Sequence, residues 1–310
     1  MKTTYLIDAH SVGYAAQQSA RLTVGNREVQ AIFGFAKKLN FLIGEKPHAR
    51  IIVLWDGHSQ WRYDLYPQYK EKREMDPKIA KMRAAFRDQK DDIKRVCETL
   101  GVGAIYDPGQ EADDLAGVLA RRLLAKPNNG VILVTGDRDW IQLVRPNCAW
   151  MNARDDNYKF VHHETFLDLT GYATPAAFLQ GKALQGDNSD NIHPVGMLGE
   201  QKAAELLAEF GSVPAFVKAY NGGELAGQKI PKPYRDLAEN KPCPKHEHVG
   251  RLDVFKRNFK LMNLQTDPTG LQLQVGNPKP DMDAFERLCR ELNFQSILQK
   301  FDLWAERFSR

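Results

Sequence analysis

Three short apolar runs along the chain each end in aspartate. Tyr5-Leu6-Ile7 ends in Asp8, and Ile51-Ile52-Val53-Leu54-Trp55 ends in Asp56. Val131-Ile132-Leu133-Val134 passes through Thr135-Gly136 into Asp137-Arg138-Asp139. Unbroken runs of this length, rich in β-branched residues, predict strands buried on both faces, as in a parallel sheet. Between them the apolar spacing becomes helical. Gly25-Asn26 marks a turn, and residues 30–43 carry apolar side chains at 32, 35, 36, 39, 42 and 43. Asp76-Pro77 predicts an N-cap followed by proline at the first helical position. That helix, apolar at 79, 82, 86, 93 and 96, runs to about Leu100 and stops at Gly101. Its thin stripe predicts a helix standing off the core, as a gate over a cleft would. Residues 102–106 predict a short strand, and Gln110-Glu111-Ala112-Asp113-Asp114 the first turn of another helix. Alternating strands and helices predict an α/β fold with a mostly parallel sheet covered on both faces.

After about Thr170 the pattern changes to helices punctuated by Gly and Pro, with a strand signal only at 271–275. The expected domains are therefore 1–170 and 171–310. Gly186-Asp187-Asn188-Ser189-Asp190-Asn191 is a polar loop with two further acids, 192–199 a Gly/Pro-containing turn, and 200–210 a helix. A helix, a tight turn exposing backbone amides and a second helix can hold a phosphate backbone without reading its sequence. Near the C-terminus, Gln295, Leu298 and Phe301 partly resemble a sliding-clamp peptide, with Asp302 where a second aromatic belongs. The apolar positions 294, 297, 298, 301 and 304 favour a helix packed on the core instead.

Composition narrows the class. The 310 residues suffice for one large domain or two ordinary ones. No apolar run could span a bilayer, and the chain moves from Lys2 directly into its first strand with no signal-peptide pattern. Four cysteines lie far apart, which predicts free thiols in a reducing cytoplasm. Cys243 with His246 and His248 predicts a polar loop rather than a zinc site. The net charge of +4 is concentrated: residues 70–95 hold ten Lys/Arg against six Asp/Glu. A basic segment set apart from an acidic sheet edge suits an anionic substrate bridged by metal. Residues 61–73 interleave Trp61, Arg62, Tyr63, Tyr66, Tyr69, Lys70 and Arg73, offering stacking faces for bases beside charge for phosphates.

The acids carry the chemistry. Asp8, Asp56, Glu111, Asp113, Asp114, Asp137, Asp139, Asp187 and Asp190 are all carboxylates, with no His or Cys among them. Such hard oxygen donors favour Mg²⁺ or Mn²⁺ over zinc. More acids than one ion needs implies two ions, able to clamp both oxygens of an in-line phosphoryl displacement.

Glu111-Ala112-Asp113-Asp114, Gly136-Asp137-Arg138-Asp139 with Gln142-Leu143, and Gly186-Asp187-Asn188-Ser189-Asp190-Asn191-Ile192 resemble signature segments of the 5′ nuclease superfamily. That superfamily comprises flap endonucleases, bacteriophage 5′-3′ exonucleases and the 5′ nuclease domain of DNA polymerase I. The resemblance runs from Tyr5 to about Asp267. It implies a resolvase-like (PIN-like) domain, a helical arch and a helix-three-turn-helix module. Asp8, Asp56, Glu111 and Asp113 would then serve one metal, with Asp114 close by, and Asp137, Asp139, Asp187 and Asp190 a second. Lys70, beside Tyr69, would contact the scissile phosphate, with Arg73 and Arg62 steering the 5′ strand. Gly196, Gly199 and Lys202 would hold duplex backbone, with K⁺ at that turn. The implied partners are 5′ flaps, nicks and duplexes bearing a 5′ single strand, RNA-primed DNA and a DNA polymerase. The implied setting is a monomer in the cytoplasm of a bacterium or phage-infected cell. Two departures stand out: Ala9 and Ala15 replace the usual Gly and Arg after the first Asp, and Pro194 and Met197 stand where the turn module has Gly. The competing readings are a non-catalytic branched-DNA binding module, which the complete acid set opposes, and a PIN-type single-strand ribonuclease, which the basic arch and turn module oppose.

Overall fold

The computed structural model describes residues 2–309 except 155–158, 266–270, 272, 274 and 277, and for 73, 74 and 247 the backbone alone. Asp267 and the Arg73 side chain thus lie outside the described residues. In chain order, β1 (Lys2–Asp8) and α1 (Ala9–Gln17) precede a small hairpin of β2 (Thr23–Val24) and β3 (Arg27–Glu28). Next come α2 (Gln30–Glu45), β4 (Arg50–Trp55), α3 (Gln60–Leu65), a 3-10 turn (Glu71–Glu74), α4 (Pro77–Arg87) and α5 (Lys90–Thr99). β5 (Gly103–Tyr106), α6 (Ala112–Leu124), β6 (Asn129–Thr135), a second 3-10 turn (Arg138–Leu143), β7 (Cys148–Asn152) and β8 (Phe160–Val161) complete the α/β part. The helical part contains α7 (Phe166–Thr170), α8 (Pro175–Gln185), α9 (Glu200–Phe210), α10 (Val213–Asn221) and α11 (Lys232–Ala238). A hairpin of β9 (Pro242–Cys243) and β10 (His246–Gly250) leads to α12 (Arg251–Met262), α13 (Met282–Glu291), α14 (Gln295–Leu298) and α15 (Phe301–Phe308).

The six main strands run in the order β5-β4-β1-β6-β7-β8, all parallel except β8. The order reverses at β1. The chain fills one side with β4 and β5, then crosses through α6 to build β6 and β7 on the other. Open α/β sheets bind their ligands outside the carboxyl ends of the strands at such a switch point. The register aligns Asp8 with Leu54 and Ile7 with Val134, so Asp56 and Asp137 leave the two flanking strands just beyond Asp8.

Alternation along the strands divides the core. Leu6, Ile52, Leu54 and Leu133 pack with α6 and the helical part, including Leu184, Phe216 and Leu237. Tyr5, Ile7, Val53 and Trp55 pack with Phe35 and Leu39 of α2, Ile93 of α5, and Phe285 and Trp304. The last three helices therefore fold back onto the sheet, touching α5 and α2, although they follow the helical part in sequence. Their apolar positions face the core, with Phe294, Ile297 and Trp304 buried, but the single helix expected over 294–304 is two, α14 and α15, broken at Gln299-Lys300.

Three expectations are corrected. The single helix expected from residue 77 to about 100 is two, α4 and α5, joined at Asp88-Gln89. Nor does it stand off the core. Phe86 is fully buried against Gly13, where a Cβ would meet the ring at 2.1 Å, so α4 is pinned to α1. The thin stripe concealed this, because one large ring in a glycine notch anchors a helix as well as several small residues do. The strand signal at 271–275 falls partly outside the described residues and is not seen at the rest. Leu271, Leu273 and Val275 are in no strand and pack part-buried on the core.

Candidate active site

The switch-point cleft, of about 820 Å³, is lined by Asp8, Asp56, Asp113 and Asp137 from the sheet edge and by Lys70, Lys72, Arg83 and Lys182 around it. Each acid arrives by a different local device. Asp8 caps α1, its Oδ1 accepting from the Ser11 N–H at 2.9 Å, while the Thr135 hydroxyl donates to Oδ2 at 2.8 Å. Asp56 Oδ1 accepts from the Ala112 N–H at 2.8 Å, tying β4 to the first turn of α6. Asp113 accepts from the Trp140 indole N–H at 2.7 Å. Asp137 caps the 3-10 turn that carries Asp139. Asp187 sits at the exit of α8, accepting from the Ser189 N–H and hydroxyl.

Cations are already threaded among these acids. Lys70 Nζ is 2.7 Å from Glu111 and 4.0 Å from Asp190, and the Tyr69 hydroxyl donates to the same two carboxylates at 3.1 and 3.2 Å. Lys182 bridges Asp139 at 2.9 Å and Asp187 at 3.1 Å. His10 Nδ1 lies 2.8 Å from Asp56 Oδ2. These cationic and ring partners draw the acids aside. Among the described residues no three His, Cys, Asp or Glu side chains already surround a common point as metal ligands.

The electrostatics nevertheless call for more positive charge. Desolvation and the neighbouring Asp56 raise the Asp8 carboxyl. Asp113 is raised well above the usual range by burial, Asp137 and Glu111. Asp139 is raised by burial and by Asp187 and Asp190, with Lys182 opposing. Asp137 is pushed up to about 8 by desolvation, Asp139, Asp8 and Asp190. Its side chain is accessible to water, but only within the crowded cleft, so its neighbours' charge is poorly screened. Asp56 moves the other way. Burial would raise it, yet the His10 ring, the Ala112 N–H and Lys70 outweigh that and hold it low. Hard oxygen donors that raise one another's pKa fit divalent cations.

The structure brings together Asp8, Asp56, Glu111, Asp113, Asp137, Asp139, Asp187 and Asp190, and sets three expected residues elsewhere. Asp114, expected near the metals, and Arg62, expected on the 5′ strand, bind each other instead. Arg62 Nη1 and Nη2 meet the two Asp114 oxygens at 2.6 and 2.8 Å. Both residues are buried, and the guanidinium also donates to Ser59 Oγ and the Leu261 carbonyl. On the first turn of α6, Asp113 and Asp114 point to different sides, so only one can face the cleft. Gly196, expected on duplex backbone, is buried; its carbonyl accepts from Arg251, and a Cβ there would meet Pro244 at 2.8 Å. Gly199 and Lys202 are exposed at the start of α9. Met197 occupies the left-handed conformation that glycine favours, at φ 56° and 65% exposed.

Sequence reasoning missed His10, Lys182, Arg83 and Arg138. Lys182 was findable, since a lysine five residues before Asp187 falls near the end of the helix that delivers that acid. His10 was findable as the second residue after Asp8. The four cysteines are free and buried, and no helix among the described residues is long and apolar enough to cross a membrane. A second cavity, of about 400 Å³ at the amino ends of the strands, is lined by Tyr5, Phe41, Met151 and Phe160, with Glu45 and Glu164 as its acids.

A mostly parallel sheet with an acidic, cation-lined cleft at its switch point places the fold in the resolvase-like α/β class. The family model of the 5′-3′ exonuclease N-terminal resolvase-like domain matches residues 3–171, and the chain belongs to this family. Thermostable DNA polymerase I of Thermus filiformis is 28% identical over 317 residues, covering 97% of this chain and 33% of the polymerase. DNA polymerase I of Mycobacterium bovis is 32% identical over 223 residues, covering 69% of this chain and 24% of the polymerase. The chain thus spans about a third or less of the length of these relatives. Among solved structures, the bacteriophage T5 D15 protein co-crystallised with metal ions shares the fold at a TM-score of 0.67 with 18% identity. That match covers 99% of this chain and 98% of the phage protein.

Proposed function

We propose that this chain is a divalent-metal-dependent, structure-selective 5′ nuclease on DNA, cutting phosphodiester bonds near the 5′ end of flaps, nicks and single-strand/duplex junctions, RNA-primed DNA included. The observation that carries the reading is the convergence of eight carboxylates from five separate chain segments around one cation-flanked cleft. Family membership and the complex of the phage T5 flap endonuclease with DNA and metal ions support it.

Asp8, Asp56, Glu111 and Asp113 would hold one cation, and Asp137, Asp139, Asp187 and Asp190 a second. Mg²⁺ is the expected ion, with Mn²⁺ substituting. Such cations supply Lewis-acid stabilisation to a phosphodiester and an ionisable water. The chain's own groups do the rest. Lys70, held by Glu111 under the basic segment, stabilises charge developing on the phosphate, with Arg73 as its expected neighbour. Tyr69 fixes the position of Lys70's two acidic partners. Lys182 bridges Asp139 and Asp187 and occupies the place of a cation between them. Gly199 and Lys202 at the start of α9 hold the duplex backbone, with K⁺ at that turn. The alignment to DNA polymerases I supports work alongside a polymerase.

Asp137→Asn tests the reading. It should abolish Mg²⁺-dependent cleavage of an end-labelled 5′-flap substrate while leaving flap binding within a few-fold. Full cleavage by this variant would defeat the assignment.

A further inference from the structure

We propose that His10 contributes an imidazole nitrogen to the cation held at Asp56, biasing that position toward transition-metal ions over Mg²⁺; the proposal rests on the nuclease reading above. His10 is the one nitrogen ring lining the acidic cleft among the described residues. Asp8 caps α1, so His10, in the first turn, projects over the carboxyl ends of β1 and β4. An aromatic box holds the ring in place: the centroids of Phe86, Tyr14 and Trp55 lie 5.5, 5.9 and 6.1 Å away, Phe86 and Trp55 edge-on.

The decisive detail is the state of Nδ1. This atom is buried and has no hydrogen-bond partner, although Asp56 Oδ2 is only 2.8 Å away. The contact acts on Asp56 as a close charge pair, without the alignment of a well-formed hydrogen bond. A histidine that merely oriented Asp56 would point its N–H along the contact. Two donor atoms at this separation instead resemble adjacent ligands of one ion, which for bonds of about 2.1 Å lie roughly 3 Å apart. The other Asp56 oxygen is engaged by the Ala112 N–H, which leaves Oδ2 on the His10 side. Imidazole is a poor ligand for Mg²⁺ and a good one for transition metals, so this nitrogen discriminates among ions where an all-carboxylate site would not.

The test is pulsed electron paramagnetic resonance on the full chain loaded with MnCl₂, beside calorimetric titration with Mn²⁺ and with Mg²⁺. The Mn²⁺ signal should show ¹⁴N modulation that changes when histidine is ¹⁵N-labelled. The His10→Asn variant should lose the modulation, and its preference for Mn²⁺ over Mg²⁺ should fall by about tenfold. The isotope arm uses the native chain, so it does not depend on a variant that folds. Bound Mn²⁺ without nitrogen coupling, or coupling that persists in His10→Asn, overturns the proposal and leaves the nuclease reading intact. Failure of the native chain to bind Mn²⁺ or Mg²⁺ at all removes the nuclease reading, and this proposal with it.

Discussion

Replacing Arg62 with Met should destabilise the protein by about 3–5 kcal/mol, the cost of leaving a buried carboxylate without its partner. The structure sets this scale. Arg62 is 1% and Asp114 5% exposed, and their contact is bidentate at 2.6 and 2.8 Å. Water therefore cannot rescue Asp114 when the guanidinium is removed. Neutralising both partners in Arg62→Met/Asp114→Asn should recover most of the loss, because the desolvation penalty of the stranded charge disappears. A residue of about 1 kcal/mol should remain, since Asp114 also accepts from the Glu111 N–H in a capping box at the start of α6. Urea titrations followed by tryptophan fluorescence on the native chain, both single variants and the double variant would give the coupling energy. A loss of under about 1 kcal/mol in Arg62→Met, the value of an exposed pair, together with a large drop in DNA affinity, would refute the buried-pair reasoning. It would return Arg62 to the substrate strand.

Three further outcomes are expected. Asp8, Asp113, Asp137 and Asp139 all have raised carboxyl pKa values, that of Asp137 reaching about 8 against 3.8 when unshifted. Between about pH 4 and 8 the folded state thus binds more protons than the unfolded one, and stability falls as pH rises. Metal-free protein should melt lower at pH 8.5 than at pH 6, and saturating Mg²⁺ should remove most of the difference; a metal-free midpoint that climbs over this range would contradict the cluster. Asp56 and Asp187 are lowered, and their contribution is lost only as pH falls below the ordinary carboxylate range. Lys182→Met removes a cation that competes for Asp139 and Asp187, so calorimetry should show tighter Mg²⁺ binding, and weaker binding would show that Lys182 organises the site instead. Met197→Gly relieves a left-handed non-glycine residue and should raise the thermal midpoint, by up to about 1 kcal/mol of stability; a lower midpoint would mean the Met197 side chain packs usefully in solution.

Much of the fold and site was legible because it depends on short-range pattern. Apolar runs ending in Asp8, Asp56 and Asp137 specify both the strands and the end at which their acids emerge, since a buried strand places whatever follows it at the sheet edge. The Asp76-Pro77 helix start, the Gly25-Asn26 turn and the core-facing apolar positions near the C-terminus are local in the same sense. Facing was not legible. Asp113 and Asp114 are adjacent and chemically equivalent, yet one enters the cleft and the other meets Arg62, 52 residues away. Gly196 looked open as a turn glycine until Pro244 and Arg251 closed over it. Phe86 looked like one residue of a weak stripe until Gly13 supplied its notch. In each case the partner comes from a distant part of the chain, and only packing selects which of several equivalent side chains it meets. Composition and spacing determined that acids would gather at one sheet edge; tertiary structure decided which of them share the cleft, because burial and pairing are properties of neighbours and not of sequence position.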